Sequence, residues 1–374
     1  MKECSRCVIN SIDDKDLIID DKGICNYCNY YEREVNNLGS LKHRTLLLNN
    51  KIEEVKSRGR NKKYDCIVGL SGGLDSSFMV YWLCENGLRP LVVHLDNGWN
   101  SSLAVQNIEN ICQKLDLDLH THVIDWNEFR ELQIAYLKAS VVDIEVLTDH
   151  AIKAIIYQMA QKYKIKYSFS GFNFATEAIM IKDWTYKKGD FSNIKDIAKT
   201  YGSITKFKTY PHLKFWKNLY YTLFLKLEVI HLLNYIDYNK RKSKSIIEEK
   251  LDWVDYEGKH YESIFTKFYQ AYILNEKFNI DKRKVHLSNL ICSQQITKKE
   301  ALLELKKPLY SSPTVLQNEI DFVLKKLSIE KKEFRSIMKA EIKSHLDFKS
   351  DDRFWNIYYK FVKILKVLIF KNKR

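Results

Sequence analysis

Proline and glycine are scarce in this chain, with 4 and 12 among 374 residues, which excludes a collagenous or linker-rich polymer. No uninterrupted apolar run approaches the 18 or so residues that a membrane span needs. The opening MKECSRCVIN lacks an apolar h-region, so no secretory signal is expected and the expected location is the cytoplasm. What is present is a globular composition, 45% hydrophobic, 13% aromatic and 29% charged, too apolar for disorder. The length suggests more than one domain. The formal charge of +14 is uneven: residues 1–200 hold 26 Lys and Arg against 27 Asp and Glu, and residues 201–374 hold 35 against 20. A basic C-terminal half suits nucleic acid, an anionic membrane or phosphorylated ligands, and equally a solvated lysine-rich surface.

The eight cysteines do not read as a disulfide framework. Four of them form Cys4-Ser5-Arg6-Cys7 and Cys25-Asn26-Tyr27-Cys28, the C-x2-C…C-x2-C spacing of a structural zinc ribbon. Two thiolates two residues apart hold one tetrahedral ion from a tight turn, and the second pair closes the shell. The segment between them reads as a hairpin turning at Asp21-Lys22-Gly23. A redox pair or an iron–sulfur cluster is the alternative. Cys66, Cys84, Cys112 and Cys292 lie in apolar segments and read as small core hydrophobes.

After a polar connecting helix, strand and helix alternate. Strands are expected at Tyr64–Leu70, Pro90–Leu95, Leu119–Ile124 and Tyr167–Ser170, with helices at Asp75–Asn86, up to about Leu115, and at Asp149–Tyr163. That alternation predicts an α/β, doubly wound parallel sheet, whose ligands sit at the carboxyl ends of the strands. From about Lys206 the chain becomes aromatic, lysine-rich and helical in pattern.

Ser71-Gly72-Gly73-Leu74-Asp75-Ser76-Ser77 follows the first strand. Its glycines permit a tight turn, its hydroxyls add donors, and the helix that follows offers its positive end to an anion. SGG-x-DS in this position resembles the pyrophosphate loop of the ATP-pyrophosphatase superfamily, which includes GMP synthetase, NAD synthetase, asparagine synthetase and tRNA thiolases. His94-Leu95-Asp96-Asn97-Gly98 resembles the adenosine-holding strand end of GMP synthetase. Ser170-Gly171-Phe172-Asn173-Phe174-Ala175-Thr176-Glu177 is similar to an element of NAD synthetase. The resemblance implies ATP held by residues 71–77, His94, Asp96, Gly171 and Asn173. It implies Mg²⁺ held by Asp75 and Glu177, although Glu177 also reads as a helix-starting carboxylate facing the dipole. Chemistry at such a loop expels pyrophosphate from ATP, adenylylates an acceptor oxygen, and lets a nucleophile displace AMP.

Asp252-Trp253 to Gly258, Lys259-His260-Tyr261-Glu262-Ser263, Phe265-Thr266-Lys267-Phe268 and Asp281 to Ser288 resemble the N-acetyl sugar amidotransferases of surface-polysaccharide and flagellar-glycan synthesis. That likeness covers residues 4 to about 307. It implies conversion of the acetamido group of a nucleotide-activated sugar into an acetamidino group, with Ser71 and Asp75 among the catalytic residues. Lys259, Lys282 and Arg283 have a rationale as diphosphate ligands, with Ser263 and His286 beside them, and His260 and Glu262 as orienting or proton-shuttling groups. A structural network at a domain junction accounts for the same residues. No cysteine has the surroundings of a glutaminase nucleophile, so ammonia is expected from a separate glutaminase. The family implies partners similar to the glutaminase and cyclase subunits of histidine biosynthesis. A tRNA-thiolating enzyme is the rival reading, disfavoured by Leu74 where those enzymes carry Lys. A non-catalytic scaffold is a further alternative, disfavoured because Ser71, Asp75 and Ser76 are all present.

The expected division is a zinc ribbon over 1–32, a connecting helix over 33–62, an ATP-pyrophosphatase domain over 63–205, a helical substrate or partner region over 206–345 and a basic amphipathic helix over 346–374. That last helix has the character of one that lies on an anionic membrane, or packs on protein.

Overall fold

A computed structural model gives the fold and describes residues 2–204, 206–256, 261–358 and 360. The N-terminal module folds around its cysteines. Antiparallel bridges join Glu3 to Asn10 and Ile19 to Cys25, and Gly23 takes the left-handed conformation (φ +77°) that the hairpin turn requires. Helix α1 (Asn26–Asn37) starts directly from Cys25, and α2 (Leu41–Gly59) starts from Ser40, whose hydroxyl accepts from the His43 N–H.

The sheet then begins with β1 (Cys66–Gly69), α3 (Leu74–Glu85), β2 (Pro90–Asp96), α4 (Ser102–Lys114), β3 (Leu119–Val123), α5 (Trp126–Ala139), α6 (Val146–Lys162) and β4 (Tyr167–Phe169). Short α7 (Phe174–Glu177), then α8 (Phe191–Tyr201) and α9 (Phe215–Tyr220), precede β5 (Glu228–Ile230) and α10 (Lys240–Leu251). All strand pairs are parallel and the spatial order is β3-β2-β1-β4-β5. The doubly wound α/β class is therefore the one observed. Strand β5 lies in a stretch that reads as helical, so the sheet runs on past residue 205.

Alternation along the buried strands separates two cores. Ile67, Leu91, Val93 and Leu95 face a cluster that contains residues of α5, α6 and α8. Cys66, Val68, Val92, Tyr167 and Phe169 face the other, with residues of α2, α3, α4 and α10. Strands buried on both faces read as continuous apolar runs, which is why β1 and β2 are legible in the sequence. The chain leaves β1 towards β2 on one side and returns on its other side as β4, so the strand order reverses between β1 and β4. Their carboxyl ends form the crevice where such sheets bind ligands.

The remaining helices are α11 (Ile264–Phe268), α12 (Leu274–Phe278), α13 (Arg283–Cys292), α14 (Lys298–Lys306), α15 (Pro313–Leu327) and α16 (Lys331–Lys339). No helix among the described residues is long and apolar enough to cross a membrane. Most of the expected terminal helix, from residue 361, lies outside the described residues.

Two buried histidines tie these layers together in neutral form. His150 donates from Nδ1 to the Lys188 carbonyl (2.9 Å) and accepts at Nε2 from the Leu213 N–H (3.0 Å). His345 accepts from the Asp143 N–H (3.3 Å), donates to Asn193 Oδ1 (2.9 Å) and stacks on Tyr186. Burial lowers both pKa values from 6.5 to about 4. Below pH 6.5 the unfolded chain takes up these protons before the folded one does. Stability is thus full above pH 6.5 and falls as pH drops towards 4, by up to about 3 kcal/mol for each histidine. Urea midpoints measured between pH 7.5 and 5 should show this loss, and His150→Gln should flatten the slope.

Candidate active site

The loop after β1 is held in shape from inside and outside. Within it, the Gly73 N–H donates to Ser71 Oγ (3.2 Å), the Ser71 N–H donates to Ser76 Oγ (3.3 Å), and the Ser76 hydroxyl donates to the Gly73 carbonyl (3.1 Å). Gly72 sits at φ +83°. From outside, Trp253 Nε1–H (2.7 Å) and the Tyr256 hydroxyl (3.0 Å) both donate to the Gly72 carbonyl. Asn107 of α4 positions that clamp by donating to the Tyr256 oxygen (3.0 Å) and the Val254 carbonyl (2.8 Å). Gly73 is the N-cap of α3 and provides no side-chain cap, so the helix presents its first N–H groups where an anion gains most.

Trp253 and Tyr256 are missed as loop clamps by the sequence reading, because they lie 181 and 184 residues from Gly72. Trp253→Phe keeps an aromatic ring, though a smaller one, and deletes the donor. It should raise the KM for ATP about tenfold while leaving the fold intact, the scale of one hydrogen bond of about 1.4 kcal/mol. Steady-state kinetics beside a thermal melt would check this.

One cavity of about 1220 Å³ opens over the crevice. Among the residues singled out from the sequence, Ser71, Ser76, His94, Gly171, Glu177, Glu262, Ser263, Lys282, Arg283 and His286 line it. Glu262 reaches the loop itself, its Oε1 lying 3.3 Å from the point a Cβ on Gly73 would occupy. The backbone explains this approach: the Ser101 N–H donates to the Glu262 carbonyl (2.9 Å), and Ser263 bridges to Asn100 in the loop after β2. Lys259 and His260 lie outside the described residues.

Several of these groups already have structural partners. The His94 Nδ1–H donates to the Leu70 carbonyl and its Nε2 accepts from Asn100, both at 2.9 Å, and burial lowers its pKa. Asp96 accepts from the Gly98 N–H (2.8 Å). Asn173 is fully buried and caps α7. Ser77 differs: it is buried inside the first turn of α3, and its hydroxyl has no hydrogen-bond partner among the described residues. Ser263 caps α11. The Asp75 carboxylate accepts from the Tyr238 hydroxyl, and burial, then the Asp75 charge, pushes that phenol far up.

Lys282 pairs with Glu145 (3.1 Å), which also accepts from Gln270 (3.1 Å). Arg283 pairs with Asp281 (2.7 Å) and donates to the Lys307 carbonyl (2.9 Å), closing the end of α14.

The four N-terminal cysteines are buried, with their Sγ atoms all within 4.8 Å of one another. Cys4 to Cys28 is 3.9 Å and Cys7 to Cys25 is 3.6 Å. Sulfurs about 2.3 Å from one tetrahedral zinc lie roughly 3.8 Å apart, so the residues fit that ion. Hydrogen bonds from the Cys25, Cys28 and Cys7 thiols, helped by the Cys7 N–H, hold Cys4 well below the usual thiol range. Cys292 is more than a core filler: its Sγ lies 3.6 Å from that of Cys28, across 264 residues of sequence.

Comparison with known proteins matches two separate stretches of the chain. Residues 65–162 match the family described as queuosine biosynthesis protein QueC. Residues 262–363 match the C-terminal domain of the WbpG-like LPS biosynthesis proteins. A tRNA(Ile)-lysidine synthase from Chlamydia pneumoniae is 40% identical over 55 residues, which is 14% of this chain and 17% of that protein's length. An NMN synthetase from Francisella tularensis is 20% identical, covering 36% of this chain and 56% of that one, with a TM-score of 0.29. An NH3-dependent NAD synthetase from Campylobacter jejuni is 15% identical over 72% of this chain and 98% of its own, with a TM-score of 0.29.

Proposed function

We propose, from a chain that joins a QueC-type ATP-pyrophosphatase domain to a WbpG-like C-terminal domain, an ATP-dependent amidotransferase. Its substrate is a nucleotide-activated N-acetyl sugar destined for a surface polysaccharide or flagellar glycan. The observation that carries this reading is the shared cavity: the glycine loop after β1 and the segment from Glu262 to Leu287 line one space. A volume of about 1220 Å³ exceeds what one drug-sized ligand fills.

The chemistry runs in two displacements. The acetamido oxygen attacks the α-phosphorus of ATP and pyrophosphate leaves, the loop donors and the α3 N-terminus taking up its charge. Ammonia then adds to the imidate carbon and AMP departs with the former amide oxygen. The nitrogen loses a proton as the amidine forms, and Glu262, beside the loop, accepts it in this reading. Asp75 and Glu177 would hold Mg²⁺, which supplies charge neutralisation at the phosphates. Ammonia comes from a separate glutaminase subunit through a cyclase-like channel subunit.

Purified protein with Mg-ATP, ammonium and a panel of nucleotide-activated acetamido sugars should release AMP and pyrophosphate only with the right sugar, which gains NH in place of O by mass. The matches to QueC and to the tRNA(Ile)-lysidine synthase favour an RNA-modifying ligase as the second reading. AMP release driven by bulk tRNA alone would overturn the first reading and establish the second.

A further inference from the structure

Helix α9 and the π-helical turn that continues it, Tyr221–Leu225, turn a row of large apolar side chains outward. The inward face carries Asn218 and Tyr221, both buried. The outward face carries Trp216, Tyr220, Leu223 and Phe224, spaced i, i+4, i+7 and i+8, with Trp216 72% and Phe224 67% exposed. Phe215 packs tilted against Phe354 and edge-on against Trp355, both with ring centroids 5.2 Å away, which brings the exposed Phe354 and Ile357 alongside. The result is one apolar, aromatic surface made by two segments far apart in sequence.

Its charges have one sign. Residues 214–226 contain Lys214, Lys217 and Lys226 and no carboxylate. Residues 353–374 contain Arg353, Lys360, Lys363, Lys366, Lys371, Lys373 and Arg374, again with no Asp or Glu. The nearest acids in sequence are engaged elsewhere, Asp352 with Lys187 and Glu228 with Lys51. Protruding Trp, Phe and Leu tips on segments whose charged side chains are all basic suit a bilayer with anionic headgroups, where apolar side chains enter the acyl boundary and the cations stay among the phosphates.

We infer that α9, its π turn and the residue 353–358 segment together form a peripheral docking surface for an anionic lipid bilayer. The inference is independent of the chemistry assigned to the cavity, since none of these residues lines it. It places the primary contact on a folded surface of the body and gives the basic terminal residues a supporting role.

The test is co-sedimentation of the full chain with vesicles of phosphatidylethanolamine and phosphatidylglycerol, against vesicles of phosphatidylcholine. Binding should be at least about tenfold tighter on the anionic vesicles and should weaken with salt. The W216S/F224S double variant should lose about tenfold in affinity, with an unchanged thermal melt and unchanged ATP turnover because both positions are exposed. Equal binding to both vesicle types, or none, overturns the inference. So does a double variant that binds as the wild type does, which would assign the contact to the terminal residues alone. Self-association that disappears in the variant, without lipid binding, overturns it in favour of a second copy of this chain.

Discussion

Replacing Gly72 by alanine should lower kcat/KM for ATP-dependent turnover by roughly a hundredfold or more, the scale of losing an oxyanion-stabilising donor. Its φ of +83° is a conformation that side chains rarely adopt. A Cβ there would also lie 2.9 Å from the Tyr256 hydroxyl and 3.0 Å from the Ala104 carbonyl. The carbonyl is backbone inside α4 and cannot yield, so the loop must shift instead, and with it the first N–H groups of α3. Gly73→Ala is the control. Gly73 has an ordinary φ of −70°, and its Cβ would meet only the ends of the Glu262 and Ser71 side chains at 3.3 Å. That variant should lose about tenfold. Equal losses in the two variants, measured on folded protein, would count against the clamped-loop account.

Zinc fits the four-cysteine cluster, and stripping it from zinc-loaded protein, or replacing Cys28 by serine, should lower the melting temperature by roughly 5 °C or more. The damage should also spread beyond the N-terminal module. Lys298 of α14 donates to the Cys4 carbonyl (2.6 Å), Lys284 of α13 pairs with Asp13 (2.6 Å), and Cys292 closes on Cys28 (3.6 Å). The module is thus bolted to the helix that brings Arg283 and His286 to the cavity. Metal removal should therefore raise the KM of the acceptor substrate more than that of ATP. Deuterium uptake should rise over residues 283–306 as well as 2–37. Unchanged uptake over 283–306 would detach the module from the site.

The elements that were legible in the sequence are those whose signals are local. Ser71 to Ser77 announces itself because turn, donors and helix start are adjacent. The two C-x2-C pairs do the same. The missed elements depend on distant partners. Strand β5 has only three residues, Glu228–Ile230, in an aromatic, lysine-rich stretch, and only pairing with β4 makes it a strand. Helix α5 hides between a strand and another helix, although Asp125 caps it by accepting from the Glu128 N–H (3.0 Å). Arg283 shows the other limit. Its residue type suits phosphate, but the neighbouring Asp281 and the end of α14 already engage its guanidinium. Which partner a cation takes is a matter of tertiary packing, which residue type does not encode.

The closing of Cys292 on Cys28 also sets a timetable. The two thiols are 264 residues apart, and at about 5–20 residues per second the ribosome needs roughly 15–50 s to make that stretch. Throughout that interval the cluster exists without its outer wall. During it the four thiols have only the hairpin and the start of α1 to gather them, without the Cys292 sulfur beside Cys28. Helix α13 is synthesised after the module it packs on, so Cys292 can close on Cys28 only once the first 292 residues have been made.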